Sequence, residues 1–448
     1  MKRETMKTVV LIILIAFSLV LTVALWNYQP VAESDDSENT LIDDTTLDNL
    51  GQERTLSELI EPEKVVFHDQ GNFYAYKEEL ERSSFYKDMQ EWTLNNLNVN
   101  PKEISADQQK DAVEVIFPAQ VPVKVIGDLF QVDKEQIENV RQKFDRVFLT
   151  APQGEKAPSY QVWFVNTEEQ APVLRATINS ADGDRAFREL EDEQKLNKQL
   201  RLSDAFPNAD TSAYDHIYIP EKRKNIEEYV LQTDPVPIAT LRNALFPSTS
   251  LVSRYKTSSG EPRFRASEGR RLDVLDGDRR MEYLYMIPNS VNSGNLDGYE
   301  LLRRSITDVN GHLGWTNQFQ LVSNSSDMVQ YRMKYNDIPV MEGQGTYQLA
   351  TIALSYEQDE IQRYIRPLVK FKTISETIGA LESGEEVVRY LQNNNIDYAS
   401  IQDIRISYTL EEQTNRLAYN LIPEWYIQTS SGWQPLFERN QGQNEEIS

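Results

Sequence analysis

The sequence predicts an α+β protein: one N-terminal transmembrane helix followed by three extracytoplasmic α+β domains, the last two resembling each other. Three observations carry this reading. An uncharged apolar run at residues 9–25 has cations on one side only. Strand patterns of period two alternate with helical patterns from residue 61 onward. A helix–strand–strand unit occurs twice in the last third of the chain. Hydrophobic residues make up 40% and aromatics 10%, enough for packed cores.

The run at 9–25 covers roughly 26 Å as a helix at about 1.5 Å per residue, close to a hydrocarbon core of about 30 Å. Lys2, Arg3 and Lys7 precede it, the next basic residue is Arg54, and the stretch between is acidic. The positive-inside bias therefore puts residues 1–8 in the cytoplasm and everything after a helix at 9–28 outside. Trp26 and Tyr28 fall where an aromatic belt would anchor the outer end. The competing reading is a cleaved signal peptide with Thr22-Val23-Ala24 as its site, but that site lies inside the apolar run. Leu11, Ile15, Ser18, Thr22 and Leu25 share one helix face, and Ser18 with Thr22 permits close helix–helix approach. Ser18 and Thr22 can equally bond carbonyls of their own helix.

Residues 29–60 read as an acidic spacer entering a short helix at 47–60. A domain at 61–245 follows. It holds a helix at 76–97 with Leu80, Phe85, Met89, Trp92 and Leu97 on one face. Strands are expected at 113–117, 146–149, 160–166 and 173–178, a charged helix at 185–200, strands at 215–220 and 228–232, and a helix at 237–246. A middle domain at 246–370 opens with strands at 262–266, 272–275 and 281–287, with Asp276-Gly277 as a hairpin signal. Its helix at 296–311 and strand at 318–322 precede Tyr335-Asn336-Asp337-Ile338-Pro339. In the C-terminal domain, 371–448, a helix at Gly384-Glu385-Glu386-Val387-Val388-Arg389 and a strand at 401–408 precede Tyr419-Asn420-Leu421-Ile422-Pro423. The spacing is nearly the same in both, as a duplicated module requires.

The chain holds 70 Asp and Glu against 46 Lys and Arg, a net charge of -24, which disfavours nucleic acid and anionic lipid as partners. It has no cysteine, which removes disulfides, thiolate metal sites and cysteine nucleophiles. His68, His216 and His312 lie far apart and supply no metal-ligand spacing; His312 reads as a helix C-terminal cap. Asp182-Gly183-Asp184 and Asp276-Gly277-Asp278 fail calcium-loop spacing and read as turns. Ser84-Phe85-Tyr86-Lys87 and Ser253-Arg254-Tyr255-Lys256 lack the companion motifs of acyl-transfer enzymes. No catalytic residue, metal or cofactor is expected. Trp425, Tyr426, Trp433 and Phe437 crowd the C-terminal end and suit either an interface or the core and rim of the last module.

Met1-Lys2-Arg3-Glu4, the apolar span and Trp26-Asn27-Tyr28-Gln29-Pro30 resemble the opening of the YycH family of bacterial membrane proteins. Leu421-Ile422-Pro423-Glu424-Trp425 through Gly432-Trp433 looks like the C-terminal module that this family shares with YycI. The resemblance implies three outer α+β domains with the last two alike. It also implies a non-enzymatic regulator that acts, together with a YycI-type partner, on the sensor histidine kinase WalK (YycG), which controls cell-wall metabolism. In this reading Leu11, Ile15, Ser18, Thr22 and Leu25 contact the kinase within the membrane. Two other classes stay open: a ligand-binding sensor, marked by an aromatic-lined cleft near Trp425 and Trp433, and a cell-wall hydrolase, marked by a carboxylate pair about 5–9.5 Å apart in an open groove.

Overall fold

The computed structural model describes residue 18 and residues 45–152, 159–207, 213–214, 216–223, 225–247, 250–286, 296–325, 327–357, 359–414 and 418–437. The expected membrane residues Lys2, Arg3, Lys7, Trp26 and Tyr28, and Leu11, Ile15, Thr22 and Leu25 of the proposed contact face, lie outside them. Ser18 is helical and exposed. No helix among the described residues is long and apolar enough to cross a membrane.

The fold is mixed α+β and rich in sheet. Among the described residues the first sheet has nine strands. These are β1 (Lys64–Asp69), β2 (Asn72–Tyr76), β3 (Asn95–Val99), β4 (Asp111–Pro122) and β5 (Lys143–Thr150), then β6 (Tyr160–Asn166), β7 (Ala171–Ile178), β8 (Leu196–Arg201) and β9 (Tyr218–Pro220). They lie in the order β3-β7-β6-β5-β4-β1-β2-β8-β9, every pair antiparallel. The central strands are buried on both faces. Val65, Phe67, Val113, Val115, Val147 and Leu149 join the main core, while Ala112, Phe148, Trp163 and Val165 form a second cluster on the other face.

The chain crosses to the second sheet between Pro220 and Asn225. That sheet begins with β10 (Asn225–Pro235), β11 (Val252–Lys256), β12 (Pro262–Ala266), β13 (Arg270–Leu275) and β14 (Arg280–Tyr285). It continues with β15 (Gln318–Asn324), β16 (Met328–Tyr335), β17 (Ile338–Glu342), β18 (Thr351–Glu357) and β19 (Glu360–Pro367). The last strands are β20 (Val369–Ala380), β21 (Asp403–Glu412), β22 (Tyr419–Thr429) and β23 (Gly432–Pro435). Thirteen of these fourteen strands lie in the two expected C-terminal domains, while β10 lies within the expected N-terminal domain at 61–245 and yet pairs with β20 and β22. The seam between the two C-terminal domains is β17, paired antiparallel to β16 and parallel to β21.

The two repeat helices, Gly298–Asn310 and Gly384–Asn393, start alike. Asp297 with Glu300, and Ser383 with Glu386, each form a capping box that satisfies first-turn N–H groups. Leu301, Leu302, Ile306 and Val309 of the first helix and Val387 and Leu391 of the second are buried. Two antiparallel strands follow each helix, β15–β16 and β21–β22. The pentapeptide echo is not structurally equivalent, however. Asn336 and Asp337 take positive φ in the turn between β16 and β17, whereas Tyr419–Pro423 is continuous strand. Pro423 is tolerated because β22 changes neighbours there: pairing to β10 ends at Leu421, and pairing to β23 begins at Tyr426.

Other expectations need correction. Tyr76 ends β2, the helix is confined to Glu79–Gln90, and Leu97 lies in β3. Leu80 is 79% exposed while Phe85, Met89 and Trp92 are buried. The helix expected at 185–200 is Ser180–Arg188 with a short 3-10 turn, and Leu196–Arg201 is strand because β2 supplies a ladder for it. Leu196 and Leu200 fit a helix period and a strand period equally well. Asp276-Gly277-Asp278 is the predicted turn, with φ of 64°, 63° and 65°. Asp182-Gly183-Asp184 instead lies inside a helix, where Gly183 faces the Tyr160 ring. A Cβ at Gly183 would sit 2.0 Å from that ring. Gly183→Ala should therefore cost about 1–3 kcal/mol by overpacking despite alanine's better helix propensity, read as a lowered unfolding midpoint. An unchanged midpoint would show that Tyr160 moves aside freely.

Candidate functional site

The two sheets are stapled by side chains that sequence distance concealed. Arg82 of the helix Glu79–Gln90 makes a two-pronged pair with Asp337, and Lys334 Nζ lies 3.0 Å from the same carboxylate and 3.3 Å from Glu61. Lys124 pairs with Asp297 at 2.8 Å, and Tyr299 Oη donates to Asp128 at 2.7 Å. Gln320 Nε2 donates to the Glu61 carbonyl at 2.7 Å. Glu61, Glu79 and Asp337 converge closely enough to suggest a cation site, but Arg82 and Lys334 already sit among them.

Between the sheets lies a cleft of about 620 Å³. The first sheet contributes Glu63, Lys64, Gln120, Lys143, Asp145, Arg146, Glu168, His216 and Tyr218. The second contributes Ser323, Asn324, Gln402, Asp403, Arg405 and Gln428. Four cations (Lys64, Lys143, Arg146, Arg405) thus meet four carboxylates (Glu63, Asp145, Glu168, Asp403).

The floor of the cleft is a buried polar network on β1, β4 and β5. Glu114 is 0% exposed, since its register sets it between Val66 and Phe148 on a covered face. Its Oε1 accepts from Arg146 Nη1 at 3.1 Å, and its Oε2 accepts from Tyr218 Oη at 2.9 Å. His68 Nε2 lies 3.0 Å from Oε2, and His68 Nδ1 lies 2.8 Å from the Gln109 carbonyl. Burial alone would raise the Glu114 pKa, but the His68 and Arg146 contacts outweigh it and hold the carboxyl below the ordinary glutamate value. Burial pushes the His216 imidazole down to about 4.

The walls are tied as firmly. Lys64 Nζ donates to the Tyr218 carbonyl, and burial lowers its pKa against the pull of Glu63 and Asp403. Arg405 pairs with Asp403 and, at 2.8 Å, with Glu63 across the two sheets. Its guanidinium lies 4.4 Å from the Trp433 ring centroid, within cation–π range. Lys143 Nζ donates to the Asn324 carbonyl at 2.6 Å. Asp145 accepts from both the amide and the hydroxyl of Thr167. Three of the four carboxylates are therefore already engaged.

The aromatic cluster at the C-terminal end builds core and rim. Trp425 is 2% exposed and donates to the Glu382 carbonyl at 2.9 Å, while Phe437 meets Tyr390 edge to face. His312 bonds the backbone of Asp308 in the last turn of the helix Gly298–Asn310, as a C-terminal cap does, and has a second role that the sequence did not show. It is buried in the second sheet's core, with Nε2 3.1 Å from Tyr364 Oη and 3.3 Å from Arg366 Nη1, and burial lowers its pKa to about 3. The cleft residues escaped sequence reasoning because no local pattern links them: Glu63 and Arg405 meet only through the tertiary fold. The buried charge on β4, a Glu amid Val and Ile, was the available signal.

The YycH protein N-terminal domain matches residues 4–195, and the YycH protein C-terminal domain matches residues 214–441. The two-component system WalR/WalK regulatory protein YycH of Bacillus subtilis (strain 168) is 24% identical over 475 residues, spanning 100% of both chains. The crystal structure of YycH from Bacillus subtilis matches with a TM-score of 0.69 at 19% identity, covering 87% of this chain and 99% of that one. At that identity it shows a shared fold.

Proposed function

Because this chain belongs to the YycH family, we propose that it is a non-enzymatic accessory regulator of a WalK-type sensor histidine kinase controlling cell-wall metabolism. It is held in the cell membrane by the helix at 9–28, with its N-terminus cytoplasmic and its sheets outside. It works with a YycI-type partner. The observation that carries this is the match along the whole chain to a relative named as a WalR/WalK regulatory protein. Engagement of the cleft's charges in structural pairs supports a role without catalysis.

A regulator of this kind needs only a coupling free energy of about 1–3 kcal/mol between two kinase conformations, which one differentially packed helix supplies. A photocrosslinker placed at Ser18 in living cells should capture the kinase. Bulky substitutions at Ser18 and Thr22 should change kinase output by about 5–150-fold, the range that coupling allows, while equal changes at Leu14 and Leu21 leave it unaltered. Equal responses at all four positions would remove the proposed face. Capture of lipid alone would reduce the helix to an anchor.

A further inference from the structure

One face of the second sheet is cationic in an otherwise acidic chain. Register sets Ser253, Arg265, Arg271, Leu284 and Arg363 in a single row across β11, β12, β13, β14 and β19. The neighbouring row, Phe264, Leu272, Tyr283 and Tyr364, points the other way and is buried in the core. The arginine row therefore lies on the solvent side, where Ser253, Arg265 and Arg363 are exposed. The next row on that side adds Arg263, Asp273 and Glu282. Four arginines thus face two carboxylates, in a chain whose net charge is -24. Asp273 takes Arg263 two-pronged at 2.6 and 3.1 Å and also meets Arg271 at 3.2 Å, while Glu282 takes Arg363 at 2.7 Å. At the same end of the sheet Glu268 is held by Ser250, and Glu360 by Arg270. Arg265 has no hydrogen bond or ion pair among the described residues, and it stands directly opposite Arg271, an arrangement that destabilises a sheet. Leu251, 85% exposed, and Met286, 72% exposed, stand at the adjoining ends of β11 and β14.

The chemistry of this face narrows what covers it. Arginine pairs two-pronged with carboxylates, and arginine and methionine are enriched at protein interfaces. Arg265 and Arg363 lie three strand spacings apart, about 14 Å, more than one small anion spans. A two-fold dimer of this chain through the face would set arginine against arginine, so a second copy does not complement it. The lead from the N-terminus meets the other side of the sheet, where Leu47 N–H donates to the His312 carbonyl and His312 lies 3.1 Å from Tyr364 Oη. We propose that the arginine face docks an acidic segment of a different protein, whose carboxylates pair with Arg265 and Arg271 and whose apolar side chains cover Leu251 and Met286. This contact is independent of the membrane-helix face.

The test uses the full chain in phosphatidylcholine nanodiscs, with ¹³C-methyl labels on its 8 methionines. The probe is a peptide of repeating Glu-Glu-Leu, with a repeating Lys-Lys-Leu peptide as control. On titration with the acidic peptide the Met286 methyl signal should move, while those of the buried Met281 and Met333 stay fixed. Arg265→Glu, which breaks no internal pair, should weaken binding about fivefold, and Arg265→Glu with Arg271→Glu about tenfold or more. Unchanged Met281 and Met333 signals would show that both variants keep the fold. The proposal is overturned if the acidic peptide leaves Met286 unmoved, if the double variant binds as the parent does, or if the lysine peptide moves Met286 equally. It is also overturned if phosphatidylglycerol discs shift Met286 without peptide, which would make the occupant the bilayer, or if dilution alone shifts it, which would make it a second copy.

Discussion

Glu114→Ala should lower the stability of the first sheet by about 3–5 kcal/mol, the range for removing one partner of a buried ion pair. The substitution strips the acceptor from Arg146 Nη1, Tyr218 Oη and His68 Nε2 together, in a site with no exposure. It also opens a small cavity between Val66 and Phe148. Glu114→Gln keeps the shape and one accepting oxygen, so it should cost less, about 1–3 kcal/mol. Hydrogen exchange of β1, β4 and β5 amides in the full chain would read both. A loss below about 1 kcal/mol for the alanine variant would mean that water replaces the carboxylate readily.

The second large effect is acid destabilisation between pH 7 and pH 5. His216 and His312 have folded pKa values of about 4 and about 3, below the ordinary 6.5, because burial penalises the charged ring. A group whose folded pKa is depressed holds its stabilising contribution above the unfolded value and loses it as pH falls. Here the unfolded chain takes up two protons that the folded chain refuses. At pH 5 each histidine costs about 2 kcal/mol relative to pH 7, roughly 4 kcal/mol together. For His312 the refusal is strengthened by Arg366, whose guanidinium is 0% exposed and lies 3.3 Å from the ring. His312→Gln should remove about half of the pH dependence. Denaturant midpoints across that range would measure it, and a flat profile would refute the neutral assignment of both rings.

Local physics made much of the fold legible. Strands at 160–166 and 262–266 and the helix at 237–246 follow from alternation, turn residues and a proline stop, and each appears within a residue or two of its expected place. The Asp276-Gly277 turn needed only residues that tolerate positive φ. Where two periods fit one segment, as at Leu196 and Leu200, only the neighbouring strand decides, and that neighbour is remote in sequence. The same limit hid the cleft. Pairs such as Arg82 with Asp337 and Glu63 with Arg405 obey ordinary electrostatics, but nothing in either segment specifies the other. The proposed membrane face rests on helical spacing alone.

The route by which the chain enters the fold has a mechanical consequence. Leu47 N–H donates to the His312 carbonyl, Lys370 Nζ to the Leu50 carbonyl, and Asn310 exchanges two hydrogen bonds with the Arg54 backbone. Gln52 bridges to Trp315, and a Cβ at Gly51 would meet the Leu313 carbonyl at 1.8 Å. The second sheet thus grips the chain before the first sheet is built, so the lead from the N-terminus is clamped at the joint rather than hung from the outermost domain. A tilt of one sheet against the other would turn about that grip, and residue 47 would move with the second sheet as a lever moves with its fulcrum block.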